Sequence, residues 1–300
     1  MKILVNGLPY FSKKFVDDLN AFDSENHYLY LNTYYSLWAR IKFFILLPFY
    51  DKVISMNGVS SPSGSMDLVL KHKKPLMMIW QGTDVVNALK RQQKKTIERK
   101  YITHAKHFAI SWLAEELKSI NVEAEEFSFL WLDSIEEDLK IPKTFAVLTY
   151  LGKNREYFYG WEYILAAAKE FKDIIFHVVG TEGEGLESEK NIVFHGWVKK
   201  SKMHELFAET SVYVRMTEHD GNAHLIAEAL SLGLDVVWTY PHPQGFYAKD
   251  KESLKNHLQD LKKRFYEHKG TRNKDNIAWV KDNLKKEVVL SEVLMKIKAI

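Results

Sequence analysis

The sequence of 300 residues contains no cysteine, and this absence excludes several kinds of chemistry. Disulfides, cysteine nucleophiles and thiolate metal sites are impossible, and the lack of cysteine weakly favours a reducing compartment. Long apolar runs are also missing: the most apolar segment, 37–50, contains Arg40 and Lys42 and is broken by Pro48. That segment is too short to cross a bilayer as a helix. The opening residues MKILVN are typical of a strand rather than a secretory signal, so we expect a cytoplasmic protein.

The chain also lacks a large excess of positive or negative charge. The chain has 42 Lys and Arg against 39 Asp and Glu, and the net charge of +3 is too small to predict nucleic-acid binding. Apolar residues make up 46% of the chain, which is enough to build hydrophobic cores. The length fits one large domain or two of ordinary size.

Short apolar runs alternate with helix-forming segments along the chain. We predict strands at 2–5, 28–31, 52–55, 75–80, 107–110, 145–150, 174–179, 192–194, 211–214 and 236–238. We predict helices at 13–21, 36–47, 66–72, 85–102, 112–119, 163–171, 202–209, 223–232, 252–266 and 277–300. Such alternation is typical of parallel sheets with helices on both faces.

A charged segment that ends at Pro142 interrupts this alternation, and we place a domain boundary there. The prediction is one domain of residues 1–138 and a second of residues 139–300, whose last helices pack back on the first. The predicted fold class is α/β, with two facing Rossmann-like, doubly wound parallel-sheet domains and a cleft between them. Ligands of such folds bind at the carboxyl ends of the strands.

The most informative stretch is 213–239, YVRMTEHDGNAHLIAEALSLGLDVVWT. Its pattern predicts a strand, a polar turn, a helix and a second strand. Asp220 and Glu228 lie on either side of the helix start, about 12 Å apart along a helix axis. The N–H groups of residues 221–223, between the two acids, are predicted to be free at the helix N-terminus, where phosphate is attracted. The spacing fits a ribose diphosphate with an acid at each end.

This stretch and several other segments together carry a likeness to one protein family. In the stretch itself the family pattern is an acid, then seven residues, then a glutamate, leading into a helix that ends in Gly. Here that pattern reads Asp220, GNAHLIA and Glu228. The segments MKILVNGLPY, QGTD, HFAISWLAEEL, TYLGKNREYFYGWEYILAAA, VVGTEGEG and NIVFHGWVKKSKMHELFAETSVYV carry the rest of the likeness. Through them the chain resembles the GT-B glycosyltransferases, in particular retaining glycosyltransferase family 4. The resemblance covers nearly the whole chain and is most specific in its second half. It implies that residues 1–138 form the acceptor-side domain and residues 139–300 the nucleotide-sugar-binding domain.

The resemblance implies roles for individual residues. Glu228 would hydrogen-bond the ribose hydroxyls of a nucleoside-diphosphate sugar, and Asp220 would meet hydroxyls of the sugar. Lys153 and Arg155 would neutralise the leaving diphosphate, and Arg215 is a further candidate for that task. The other predicted donor-site residues are Gly221, Asn222, Ala223, His224 and Trp197, and the predicted first-domain cleft residues are Gly7, Gln81 and Asp84.

The implied reaction is transfer of a sugar to an acceptor hydroxyl, with retention of the anomeric configuration and without a metal. Negative charge develops on the diphosphate as its bond to the sugar breaks, so fixed cations and N–H dipoles should lie there. No cofactor is expected, because the nucleotide-sugar, whose base is unknown, is a co-substrate. The acceptor would be a glycan, a lipid-linked molecule or a protein. His219 and His224 do not have the spacing of a metal-binding pair on one helix face.

Three departures from the family pattern leave other functions open. Asp220 is one methylene shorter than the usual Glu, Tyr159 occupies the position of a usual Lys, and Gln81 that of a usual His. The alternatives are a non-catalytic module that binds a nucleotide-sugar and a sugar-nucleotide epimerase on the same fold. Simpler roles for single residues are a helix cap for Asp220, a solvated position for Glu228, surface charge for Lys153 and Arg155, turn and cap positions for Gln81 and Asp84, and half-buried packing for Trp197.

A basic segment, 88–100, suggests a further partner. Its cations are Lys90, Arg91, Lys94, Lys95, Arg99 and Lys100, opposed only by Glu98, and the aromatic segment 38–50 belongs to the same predicted domain. Basic faces with exposed aromatics hold anionic lipid headgroups. The prediction is peripheral contact with the inner face of a membrane, and the alternative is an ordinary solvated helix.

Overall fold

The computed structural model describes residues 1–135, 140–221, 223–268 and 270–300. Its contacts divide the chain into two compact units, one of Met1–Leu130 with Glu287–Ile300 and one of Trp131–Lys286. The boundary predicted at 138/139 lies outside the described residues. No helix in the described part of the chain is long and apolar enough to cross a membrane.

The first unit contains six parallel strands. They are β1 (Lys2–Gly7), β2 (His27–Tyr30), β3 (Lys52–Met56), β4 (Leu76–Ile79), β5 (Lys106–Ala109) and β6 (Ala124–Glu126), and they form one sheet in the order β2-β1-β3-β4-β5-β6. The helices between them are α1 (Pro9–Phe22), α2 (Leu37–Leu46), α3 (Gly64–Lys71), α4 (Thr83–Gln93), α5 (Arg99–His104) and α6 (Ser111–Lys118). A single 3-10 turn, Leu47–Phe49, follows α2.

The second unit repeats this architecture. Its strands are β7 (Ala146–Tyr150), β8 (Ile175–Val179), β9 (Ile192–Phe194), β10 (Val212–Arg215), β11 (Asp235–Trp238) and β12 (Phe246–Tyr247), in the order β12-β11-β10-β7-β8-β9. Its helices are α7 (Trp161–Glu170), α8 (Lys200–Glu209), α9 (His224–Ser231), α10 (Lys251–Glu267) and α11 (Lys274–Asn283). The final helix, α12 (Lys286–Lys298), groups with the first unit from Glu287 onward.

Both sheets are doubly wound, as predicted. β1 lies between β2 and β3, and β7 lies between β8 and β10. The chain therefore reverses the direction of strand addition at β1 and again at β7. At such a switch point the following loops diverge and leave a crevice at the carboxyl ends of the strands. The predicted α/β class with two doubly wound parallel sheets is confirmed.

Buried strands explain why the helices are needed. All four residues of β10 are buried, and so are all four of β4. A parallel strand that is apolar on both faces requires helices on both sides of its sheet. Gly233, with φ of 70°, follows α9 in the left-handed conformation expected of a residue that ends a helix.

Two predicted helices are each divided in the structure. The segment 85–102 forms α4 and α5, because Lys95 adopts a left-handed φ of 55° just after α4. The segment 277–300 forms α11 and α12, since Lys285 leaves the helix to form a parallel bridge with Leu132. β6 and β12 were not predicted, because β12 has two residues and β6 has the sequence AEE, which is disfavoured in strands.

Candidate functional site

The second unit gathers predicted residues at its switch point, where β7 and β10 end. The loop after β7 carries Lys153 and Arg155, and β10 ends at Arg215. The chain turns after β8 at Gly180, where φ is 95°. A Cβ on Gly180 would lie 2.4 Å from the carbonyl oxygen of Leu151, so only glycine allows the two loops to approach this closely.

Arg215 and Asp220 form a buried ion pair at this point. Arg215 Nη2 donates to Asp220 Oδ1 at 2.9 Å, and Nε donates to the second carboxylate oxygen, while the side chains are 10% and 9% exposed. Burial lowers the pKa of Arg215, but the hydrogen bonds to Asp220 outweigh that effect and raise it. Asp220 also donates its backbone N–H to Tyr240 Oη at 3.3 Å. The ion pair between Arg215 and Asp220 therefore holds the turn after β10 against the end of that strand.

Tyr159 contacts both arginines of the site. The Arg215 guanidinium carbon lies 5.3 Å from the centre of its ring, and that of Arg155 lies 5.7 Å away. Arg155 also covers the ring of Phe158 at 4.1 Å. A guanidinium near an aromatic face is held by the quadrupole of the ring. At the position where the resemblance expects a lysine, the structure therefore has a tyrosine that organises two guanidinium groups.

The loop after β7 is anchored from both sides. Glu156 accepts the backbone N–H of Asn154 at 3.0 Å and the hydroxyl of Thr181 at 2.8 Å. Burial raises the pKa of Glu156, but these hydrogen bonds and the charge of Lys153 outweigh it, so the pKa is lowered. Gly160 has φ of 88°, and a Cβ there would lie 2.1 Å from the carbonyl oxygen of Met216. The exposed Lys153 thus projects from a loop whose backbone is fixed.

Glu228 lies in the second turn of α9 and is half-buried. Its carboxyl group makes no hydrogen bond within the described ranges of the chain. Burial raises the pKa of Glu228, and Lys200 in the first turn of α8 opposes that shift. Burial raises the pKa of Tyr213 in β10 to about 12, and the charge of Glu228 contributes to this. A half-buried acid close to β10 and α8 without a hydrogen-bond donor is a strong acceptor for a ligand.

The start of α9 differs from the prediction. The helix begins at His224 after Ala223, whose side chain cannot cap it, so the alternative role of Asp220 as a helix cap is wrong. The N-terminal N–H groups of the helix are consequently those from His224 onward rather than those of residues 221–223. Gly221, Ala223 and His224 are half-buried beside Asp220, and Asn222 lies outside the described residues.

Trp197 follows the bend at Gly196, where φ is 62°. Its side chain is 82% exposed, so the interpretation of Trp197 as a half-buried packing residue is wrong. An exposed indole after β9 is free to stack on a base, and that role stays a prediction.

The first unit has a polar cavity of about 970 Å³ at its own switch point. Residues from the ends of β1 and β3, from the loops after β2 and β3, and from α2, α3 and α4 line it, among them Asn6, Tyr34, Arg40, Asn57, Ser60 and Arg91. Asn57 Nδ2 donates to Tyr34 Oη at 3.1 Å, and Arg91 Nη1 donates to Ser60 Oγ at 3.2 Å. None of these six residues was predicted as a site residue. The serines of the segment 60–65, SSPSGS, which spans the loop after β3 and the start of α3, were the available signal.

The three predicted first-domain residues support the walls of this cavity. Asp84 is buried and accepts the backbone N–H groups of Gly58 at 2.5 Å, Gly82 at 2.8 Å and Gln81 at 3.0 Å. Burial raises the pKa of Asp84, and these hydrogen bonds oppose the shift. Asp84 thereby joins the loops after β3 and β4. A Cβ on Gly7, where φ is 147°, would lie 2.7 Å from Met56 Cβ, so glycine lets β1 end against β3.

Solved structures share this architecture, whereas no protein-family model and no curated protein matched the sequence. The crystal structure of Anabaena HepE in complex with UDP and glucose is 12% identical, with a TM-score of 0.68 over 100% of both chains. Sucrose-phosphate synthase from Thermosynechococcus elongatus is 11% identical, with a TM-score of 0.64 over 100% of this chain and 99% of that one. UDP-GlcNAc 2-epimerase from Neisseria meningitidis, bound to UDP-GlcNAc, is 12% identical, with a TM-score of 0.57 over 100% of both chains. At these identities the likeness concerns the fold, and the chain has the GT-B fold of these proteins.

Proposed function

We propose that the protein is a glycosyltransferase that moves a sugar from a nucleoside-diphosphate donor to an acceptor hydroxyl. The observation that carries the proposal is Glu228, a half-buried acid without a hydrogen-bond donor among the described residues. Its two oxygens suit the two neighbouring hydroxyls of a ribose. UDP and UDP-GlcNAc are bound in two of the similar structures, which supports a UDP-sugar as the donor.

The arginines of the site supply the charge that the reaction needs. When the bond between the anomeric carbon and the diphosphate oxygen breaks, negative charge grows on the diphosphate. Arg155, Lys153 and the buried Arg215 are held near the carboxyl ends of β7 and β10 by the contacts of Tyr159 and the anchored loop. Cations fixed before the reaction stabilise that charge without reorganisation during the step.

Asp220 has two tasks in this proposal. Its bidentate pairing keeps Arg215 oriented, which makes it a positioning residue for that cation. A carboxylate can accept more hydrogen bonds than the two from Arg215. Its pairing with Arg215 is therefore compatible with accepting a hydrogen bond from a hydroxyl of the transferred sugar, which is the role implied by the resemblance.

Retention of configuration and independence of metal are further parts of the proposal. The new bond forms between the acceptor oxygen and the anomeric carbon on the face that the diphosphate leaves. The acceptor proton passes to an oxygen of the departing phosphate, so the step requires no second carboxylate as a base.

We assign the acceptor to the first unit. Its cavity of about 970 Å³ has room for a sugar and is lined by amide, hydroxyl and guanidinium groups. These groups bind the many hydroxyls of a glycan, and the guanidinium groups of Arg40 and Arg91 at the cavity also favour an acceptor that carries an anionic group.

A non-catalytic module that binds a nucleotide-sugar is the second candidate. Two observations favour it: Tyr159 replaces a cation, and the carboxylate of Asp220 is already paired with Arg215. Such a module would bind the donor and leave it intact with every acceptor. An epimerase would instead convert the donor sugar in the absence of acceptor, and product analysis with donor alone separates these cases.

The first test is calorimetric titration with UDP, GDP, ADP and TDP. We expect one of them to bind and Glu228→Ala to weaken that binding by about tenfold or more, as expected from the loss of charge-assisted hydrogen bonds. Because the pKa of Glu228 is raised, the affinity should also fall as the pH drops towards and through that pKa, and Glu228→Gln should remove this dependence.

The matched control is Glu252→Ala, which removes an exposed acid of α10. It should leave nucleotide affinity and its pH dependence unchanged. If no nucleotide binds, or if both variants bind like the wild type, the proposed donor site is wrong.

A further inference from the structure

An apolar stripe runs along the outer face of the first unit. It consists of Leu37, Trp38, Ile41, Phe44 and Ile45 of α2 with Phe49 of the following 3-10 turn, all of which are exposed. Trp38 is 75% exposed, Phe49 70% and Leu37 69%. Such a concentration of large exposed apolar side chains on a short segment indicates a surface that binds a partner molecule or a membrane.

The helix α2 has apolar side chains on two opposite faces. Phe43 and Leu47 are buried in the core of the unit, and Ala39 and Leu46 pack against that core. At 100° per residue the stripe covers an arc of about 120° on the opposite side. Arg40 lies on one edge of that arc and Lys42 on the other. The inner face holds the helix to the sheet, and the outer face is left for another partner.

The charges within the segment that carries the stripe have one sign. Residues 26–50 contain no Asp or Glu, and the next residue, Asp51, accepts the backbone N–H of Lys2 at 2.7 Å. Lys74 Nζ donates to the carbonyl oxygens of Pro48 at 3.0 Å and Tyr50 at 2.5 Å, which brings the end of α3 against the 3-10 turn. The exposed Lys71, His72 and Lys73 therefore lie beside the stripe, together with Lys42.

We propose that α2 and its 3-10 turn dock the protein on an anionic lipid surface. Apolar side chains at the centre with cations at the edge match the acyl chains and the negative headgroups of such a surface. A second copy of the chain fits less well, because a two-fold contact through the stripe would bring the same cations together. The inference does not depend on the transfer reaction.

This surface differs from the basic segment 88–100 predicted from the sequence. In that segment Lys100 pairs with Asp67 at 2.7 Å, and Arg99 donates to Gln92 Oε1 at 2.6 Å. Part of its charge is therefore used within the unit. α2 supplies what the basic segment lacks, which is apolar side chains that enter the interface.

The geometry also sets the depth of contact. α2 has ten residues and is therefore about 15 Å long, so it lies in the plane of the interface rather than across it. Tyr35 and Arg40, at the start of the stripe, also line the polar cavity of the first unit. Docking would therefore hold that cavity beside the lipid headgroups, where an acceptor carried by a lipid is within reach.

The test is co-sedimentation of the purified protein with phosphatidylcholine vesicles that contain or lack phosphatidylglycerol. We expect binding to the anionic vesicles, a loss of about tenfold or more in Trp38→Ser/Phe44→Ser, and no loss in Tyr247→Ser/Tyr266→Ser. The control pair removes two exposed aromatics of the second unit. Lys42→Glu should weaken binding to the anionic vesicles, and added salt should do the same.

Three results would overturn the proposal. The first is that the wild-type protein does not bind anionic vesicles. The second is that the control pair loses vesicle binding as strongly as Trp38→Ser/Phe44→Ser. The third is that the wild-type protein does not bind vesicles but forms a concentration-dependent dimer, which Trp38→Ser/Phe44→Ser abolishes. The last result would assign the stripe to a second copy. Circular dichroism and thermal unfolding verify that each variant is folded, and nucleotide titration shows separately whether the donor site is intact.

Discussion

A buried arginine is stable at the carboxyl end of β10 because two neighbours compensate for its loss of water. Asp220 accepts two charged hydrogen bonds from it, and the ring of Tyr159 lies near the guanidinium. The buried hydroxyl of Tyr213 has no hydrogen-bond partner among the described residues, and the charge of Arg215 opposes the rise in its pKa. Such a charge is costly to leave unpaired.

Asp220→Asn should therefore destabilise the protein by about 3–5 kcal/mol, since an amide cannot neutralise a buried guanidinium. Urea unfolding followed by tryptophan fluorescence measures the change. Asp17→Asn is the control, because Asp17 pairs with Lys13 in a contact where the side chains are 60% and 69% exposed. An exposed pair of this kind contributes less than about 1 kcal/mol. Equal effects of the two substitutions would contradict a stabilising role for the buried pair.

Among the elements, those with a strong apolar pattern could be predicted and those fixed by distant contacts could not. β9 was predicted at its observed bounds because Ile192–Phe194 is a short apolar run between polar residues. The break between α11 and α12 depends on the bridge from Lys285 to Leu132, which no local pattern contains. For the same reason, Arg215 and Asp220 could be predicted as site residues from the sequence, but their pairing and the contact of Tyr159 with the arginine could not.

The loop after β7 offers a test at the same scale. Gly160→Ala should cost about 2 kcal/mol or more and weaken nucleotide binding, because its φ of 88° is combined with a Cβ position 2.1 Å from Met216 O. Gly185→Ala is the control: its φ is 74°, but a Cβ there would meet nothing within 4 Å. It should lose about 1 kcal/mol through backbone strain alone and keep its nucleotide affinity. Calorimetry and urea unfolding of both variants measure these differences. If Gly185→Ala has the larger effect, the close approach at Gly160 does not fix the loop.

At the scale of the whole molecule, the first unit is assembled from two distant parts of the chain. Val289, Leu290, Val293 and Ile297 of α12 are buried, and Lys52 of β3 donates to the carbonyl oxygen of Ile297 at 2.8 Å. α12 thus provides both apolar contacts and the partner of a buried lysine. The stability of β1–β6 should depend on residues that follow the second unit in sequence.

Ile297→Ala should destabilise the first unit by about 2–4 kcal/mol, since it opens a cavity at a side chain that is 1% exposed. Hydrogen exchange should accelerate in β1–β6 and stay unchanged in β7–β12. Met295→Ala removes a side chain on the same helix that is 62% exposed, and it should change exchange very little. Equal acceleration in both sheets would mean that the two units open together.

The return of the chain to its first unit affects the order of events during synthesis. Domains usually mature on the ribosome in the order in which they are translated. Here residues 131–286 form a unit of their own, whereas the unit of residues 1–130 also requires residues 287–300, which are translated after the second unit. The second unit can therefore finish folding before the first, and the nascent first unit must keep the surface intended for α12 uncovered until translation of that helix is complete.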